Sequence, residues 1–293
     1  MHTHVNQEDE SSNRIGWAFF LNVGFTIIEF IGGWLTNSTA IMADAVHDLG
    51  DSLSIGLSWV LNKLSIKQAN DSFTYGYQRF SLLGALINSI VLIAGSIWVL
   101  GVAVPRLSDP QMPNAEGMIG LAIFGVLVNG FAAYKLSKGK SLNERILNWH
   151  LLEDVLGWAA VLIVAVVLMF AEWPILDPIL SIGFTLFILI NVARNLITTI
   201  RIFLQATPDD ALRQNIIGEL MSLEGISKIH HFHLWSLDGE NHVLTAHLVL
   251  TEAIEPTVQM NVKKDISDRL EKYGLAHTTI ELEYPHESCR DIN

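Results

Sequence analysis

The stretch "IMADAVHDLGDSLS" places Asp44, His47, Asp48 and Asp51 within eight residues, with apolar sequence on both sides. At i, i+3, i+4 and i+7 the four share one face of a helix turning about 100° per residue. "NWHLLEDVLGW" repeats the idea further along, with His150, Glu153 and Asp154 on one helical face. Each stretch thus holds a His-x-x-x-Asp pair, His47/Asp51 and His150/Asp154. Two imidazoles and two carboxylates brought together make a nitrogen/oxygen ligand set suited to tetrahedral Zn²⁺. A bound cation also explains why the carboxylates are tolerated, since each ionised group at bilayer depth costs about 2.5–3.5 kcal/mol even on a lenient insertion scale. Helix caps or pairing with basic groups are the bland alternative, but neither run offers a Lys or Arg at matching depth. Spacing alone leaves Asp44/Asp48 open beside His47/Asp51 as the liganding pair.

The elements that must carry these pairs are membrane helices. Half of the 293 residues are hydrophobic and only 16% are charged, whereas soluble domains are nearer a quarter charged. Six segments look long and apolar enough to span a bilayer, at approximately 15–36, 39–63, 80–104, 114–136, 146–171 and 175–200. Lys63, Lys67 and Arg79 mark the second loop, and Lys135, Lys138, Lys140 and Arg145 the fourth. The first and fifth loops have no Lys or Arg and the third has only Arg106. By the positive-inside rule the second and fourth loops, and with them both termini, face the cytoplasm. The opening "MHTHVNQEDESSNR" is too polar and acidic for a signal peptide, so residues 1–14 read as a cytoplasmic tail and 15–205 as the transmembrane domain.

Composition shifts at "LQATPDD", and residues 206–293 read as a small cytoplasmic domain. Helical periodicity over 209–223, strands at 226–237 and 241–252, a helix at 257–273 and a strand at 277–284 give an αββαβ sandwich of the α+β class. This domain is ferredoxin-like in expectation and near the lower size limit for a self-sufficient core, which dimerisation would relieve. It carries fifteen Asp/Glu against seven Lys/Arg, a sign that excludes nucleic acid as partner and favours cations. The single cysteine, Cys289, excludes a disulfide framework within one chain.

The chain resembles the cation diffusion facilitator family of zinc-type transporters over nearly its whole length. The matching stretches are "GWLTNSTAIMADAVHDLGDSLS", "YGYQRFSLLGALIN", "WHLLEDVLGW", "DPILS" and "HHFHLWSL". The resemblance implies that His47, Asp51, His150 and Asp154 bind the transported ion, and that a histidine in the second-span pair goes with zinc, cadmium or cobalt. It further implies a homodimer whose cytoplasmic domain binds regulatory metal, here at His230, His247 and Glu283, with His286 and Cys289 as candidate additions. His2 and His4 would pass metal inward. The expected setting is a bacterial inner membrane and the expected activity zinc/proton antiport. Departures are Ser81, where relatives often carry glutamate, and a second loop holding Asp71 but no histidine.

Lesser signals weigh accordingly. Glu29 either lines the pathway or hydrogen-bonds between helices, and Asn22 and Asn88 are expected to do the latter. "GKS" at 139–141 lacks the glycine that a phosphate loop needs at 134, where the chain has Tyr134. No HExxH or GxSxG occurs, and Glu153 is the one candidate base for an intramembrane metalloenzyme. That enzyme and a passive metal channel are the competing classes.

Overall fold

Long apolar runs punctuated by Asn, Pro and Ser fold as a succession of helices. The computed structural model describes residues 3–65, 67–137 and 142–289. Its helical part comprises α1 (Thr3–Thr36), α2 (Thr39–Ser65), α3 (Phe80–Ala103), α4 (Ala115–Leu136), α5 (Leu142–Phe170) and α6 (Leu176–Phe203), with one 3₁₀ turn at Pro105–Leu107. Helix α1 begins well before the expected span at 15. No Gly or Pro interrupts residues 3–15, and Gln and Glu there are good helix formers.

Among the described residues five stretches are long and apolar enough to cross a membrane: Phe19–Thr36, Phe80–Leu107, Ala115–Tyr134, Asn148–Phe170 and Leu176–Phe203. Helix α2, the other expected span, is absent from that set. Its 27 residues suffice in length, at about 1.5 Å of rise each. Asp44, Asp48 and Asp51 set it apart in composition.

The junction of α1 and α2 is sharply defined. Asn37 adopts φ 55°, a left-handed conformation that Asn tolerates better than most residues. The N–H of Ser38 then reaches back to the Gly33 carbonyl at 3.0 Å and that of Asn37 to Trp34 at 3.1 Å, closing the last turn of α1. Arg106 braces the corner, donating to the Asn37 backbone oxygen at 2.8 Å and to its Oδ1 at 2.7 Å. Deeper in, Ile41, Met118, Ala122, Trp158 and Val161 form a fully buried cluster. Gly125 of α4 permits it, because a Cβ there would lie 2.3 Å from the Trp158 ring. Trp158 stands one turn beyond Asp154 on α5, so this close approach fixes the height of half of the paired residues.

By internal contacts one unit holds the chain up to Asn62 together with Gly84–Leu196, and a second holds Lys63–Leu83 and the chain from Ile197. The second unit contains α7 (Asp210–Met221), β1 (Ile226–Ser236), β2 (His242–Leu250), α8 (Pro256–Glu271) and β3 (His277–Glu283), the αββαβ order expected. Asp209 caps α7 by accepting from the N–H groups of Ala211 and Leu212, and Pro256 opens α8 at a position where its missing N–H costs nothing. The sheet order is β1-β2-β3, with β1 and β2 antiparallel and β3 parallel to β2. Alternation puts Leu244, Leu248 and Leu250 into the core with Ile216, Leu220, Ile266 and Leu270. The same alternation turns His247 to the opposite face.

Candidate metal centres

Helices α2 and α5 bring all four predicted membrane residues together. The Nε2 of His150 lies 3.0 Å from Oδ2 of Asp51, and that of His47 lies 3.7 Å from the same oxygen. Asp154 borders the group through two different oxygens, Oδ1 3.9 Å from His47 Nε2 and Oδ2 4.0 Å from His150 Nε2, and stands just outside the set of mutually close donors. The two imidazoles meet edge to face, centroids 5.8 Å apart. His47, Asp51 and His150 each offer one donor atom within 4.8 Å of the others'. Tetrahedral zinc with bonds near 2.1 Å needs donors separated by about 3.4 Å, a value that the 3.0 and 3.7 Å separations of the two imidazoles from Asp51 bracket. The structure therefore juxtaposes His47/Asp51 with the α5 pair. Glu153, expected on the same face as His150 and Asp154, is exposed and stands outside the donor group.

Three further carboxylates surround this group. Glu29 of α1 is 1% exposed and lies against Asp48 and Asp44 of α2. Asp44 and Asp48 are also buried. No Lys or Arg occurs between residues 15 and 62 or between 146 and 193, so these runs offer the carboxyl groups no basic side chain to pair with. Asn22 and Asn88 make the interhelical bonds expected of them, donating to Ser52 Oγ at 3.1 Å and to Ser54 Oγ at 2.7 Å. Both bonds hold α2.

A second donor group forms on the sheet of the αββαβ unit. His230 on β1 and His247 on β2 are direct cross-strand partners, and β3 runs beside β2 to deliver Glu283. His230 Nε2 lies 2.6 Å from Glu283 Oε2, and His247 Nδ1 lies 2.7 Å from Oε1. Cys289 Sγ approaches the same His247 nitrogen at 3.6 Å. These four offer donor atoms within 4.8 Å of one another. Burial works to raise the Glu283 carboxyl, but hydrogen bonds from His230 and His247 outweigh it and hold the group below its usual value. His286 stands outside the group, in the wall of a cleft shared with Thr251, Glu252 and Tyr284.

One feature of this second group has no sequence signal. A bulge sets His231 and Phe232 against the single residue Ala246, and His231 takes φ 44°. Its ring consequently lies 5.1 Å from those of both His230 and His247 instead of on the far face of the sheet. Of the remaining predictions, His2, the side chain of His4 and the "GKS" run lie outside the described residues.

The chain matches known proteins over most of its length. Residues 17–204 match the family model described as the cation efflux transmembrane domain, and residues 208–285 match that of the cation efflux protein, cytoplasmic domain. A cadmium, cobalt and zinc/H(+)-K(+) antiporter of Bacillus subtilis is 32% identical over 287 residues, covering 96% of this chain and 91% of that protein. The zinc transporter ZitB of Pectobacterium atrosepticum is 31% identical over 298 residues, with 99% and 90% covered. The metal cation efflux system protein CzcD of Cupriavidus metallidurans is 28% identical over 278 residues, with 94% and 87% covered.

Proposed function

We propose, from the premise that this chain belongs to the zinc-type cation diffusion facilitators, that it exports Zn²⁺ from the cytoplasm in exchange for protons. Cd²⁺ and Co²⁺ are its further substrates, in keeping with the names of its relatives. The observation that carries this reading is the convergence of His47, Asp51, His150 and Asp154 from two helices whose apolar runs contain no Lys or Arg.

Zinc needs neutral imidazoles and ionised carboxylates as ligands, so loading the site expels protons and unloading takes them back. Imidazole is the side chain whose charge changes in the physiological pH range, which suits it to that exchange. Alternating access of one site to the two sides then couples zinc export to proton entry. Each net charge moved adds about 2.3 kcal/mol per 100 mV of membrane potential.

In this reading the membrane domain spans residues 15–205 with α2 as its sixth span, its carboxylates compensated by the cation it carries. The basic second and fourth loops support cytoplasmic placement of both termini, and the bacterial relatives support an inner membrane. The domain from 206 to 293 is read as a ferredoxin-like sandwich through which two copies pair. His230, His247 and Glu283, with Cys289, hold regulatory zinc there.

The decisive measurement is zinc uptake by inverted membrane vesicles with a pH gradient imposed and then collapsed. Saturable uptake that stops with the gradient is expected. Uptake that neither saturates nor responds to the gradient would mean a channel and overturn the proposal.

A further inference from the structure

The geometry points to Asp177 as a positioning residue that rivets α2, the helix bearing His47 and Asp51, to the start of α6. The inference rests on the transport-site reading above and concerns a residue that touches none of its ligands.

Asp177 lies in the first turn of α6 and is 1% exposed. Its carboxylate is nevertheless fully engaged, by groups about 138 residues away in the chain. Oδ1 accepts from the Ser38 hydroxyl at 2.5 Å and from the Ala40 N–H at 3.2 Å. Oδ2 accepts from both the N–H and the hydroxyl of Thr39, each at 2.7 Å. Ser181, one turn along α6, donates its hydroxyl to the Thr39 carbonyl at 2.9 Å. Ser38, Thr39 and Ser181 are all buried.

An α-helix leaves its first N–H groups without intrahelical partners and carries partial positive charge there. Asp177 satisfies α2's N–H groups from another helix, and it sits in the positive end of its own. One carboxylate thus serves two helix starts. A solvated surface cap would not need this, but these groups are closed off from water, where an unmade bond costs its full desolvation.

The consequence for the site is axial. From Thr39 to His47 is about two helical turns, and α6 follows α5 after residues 171–175. Fixing the start of α2 to the start of α6 therefore sets the height of His47 and Asp51 against His150 and Asp154. A slip of one turn would displace the pairs by about 5.4 Å, more than the 3.0–4.0 Å that now separates their donor atoms.

The test is zinc uptake by vesicles holding the full-length protein, with KM and Vmax expressed per folded dimer. Asp177→Ala should raise KM for zinc by about tenfold or more, the scale seen when groups orienting metal ligands are removed. Asp177→Asn, which keeps an acceptor for the Thr39 N–H and can donate to Ser38 Oγ but turns its Nδ2 to the Ala40 N–H, should recover part of the loss. A merely structural residue would lower the yield of folded protein and leave the KM of the survivors unchanged, and that result overturns the inference. Should Asp177→Ala fail to fold, Ser38→Ala combined with Thr39→Val removes the two hydroxyl donors, together with the Ser38 Oγ acceptor of the Ile41 N–H, and keeps the Thr39 and Ala40 N–H bonds to Asp177. It should produce a smaller rise in KM, and an unchanged KM there also overturns the inference. A parallel His47→Ala variant separates the two levels. If it transports normally, the site reading fails whatever Asp177 does; if it is inactive while Asp177→Ala keeps its KM, only the rivet fails.

Discussion

Two groups of two histidines with carboxylates occupy this protein, and they are built in opposite ways. In the membrane group the donors stand 3.0–4.0 Å apart, and the imidazoles are a quarter to a third exposed. On the sheet, Glu283 grips His230 and His247 at 2.6 and 2.7 Å, with its own side chain 6% exposed. The first is held by its helices and barely by its own contacts. The second is already a closed hydrogen-bonded cluster. A site that must take up and give away an ion in every cycle gains from loose mutual pairing, because tight internal bonds would compete with the cargo. A site that senses an ion can afford to be preassembled.

The largest effects should come from breaking the membrane group. Asp51→Ala or Asp154→Ala is expected to reduce zinc uptake more than about 100-fold, while cross-linking still detects dimers. Normal uptake by either variant would dissolve the contrast, since the open group would then not be the transport site.

Selectivity sharpens the comparison next. His47→Asp replaces a borderline nitrogen donor with a hard oxygen, so manganese should gain on zinc by about tenfold in competition uptake. The equivalent His230→Asp change should leave that ratio where it was. Equal shifts from both would mean that the sheet group, too, lies on the cargo's route.

A smaller effect is expected on the sheet. In full-length protein carrying Asp51→Ala, zinc at 100 times its dissociation constant should stabilise the cytoplasmic unit by about 2.7 kcal/mol. Adding His247→Ala and Glu283→Ala should erase the corresponding rise in melting temperature. In an otherwise native chain the same two changes should reduce transport without abolishing it. A melting temperature indifferent to zinc before those changes would leave these histidines without a ligand role.

The smallest effect is on pH dependence without metal. Glu283 is held below its usual value, so the folded unit binds fewer protons there than the unfolded chain. Its contribution is present above the unfolded carboxyl value and is lost as pH falls through the folded one. Melting temperature should therefore drop as pH is lowered from about 5 to 3, and Glu283→Gln should flatten that limb. A limb that Gln leaves as steep would trace to other carboxylates.

The same contrast explains what could be read from the chain alone. His47 and Asp51, like His150 and Asp154, are four residues apart on single helices, and a helix converts that spacing into proximity with no further information. The αββαβ order was legible for a similar reason, because alternation and helical periodicity are local. His230, His247 and Glu283 are 17 and 36 residues apart, and family likeness, not spacing, nominated them. Their meeting depends on strand register. Cys289 joins them from beyond the last strand, and His231 is turned toward them only by a bulge.

The chain's local patterns thus determined which segments become helices or strands, and which helix faces carry polar groups into the membrane. Tertiary structure decided that α2 and α5 are the helices that meet, that Glu29 is buried against Asp48, and that Asp177 caps a helix 138 residues away. The physical reason is range. Periodicity and capping preferences act within one or two turns, whereas a buried carboxylate or an interhelical donor set exists only once distant segments have been packed side by side and closed off from water.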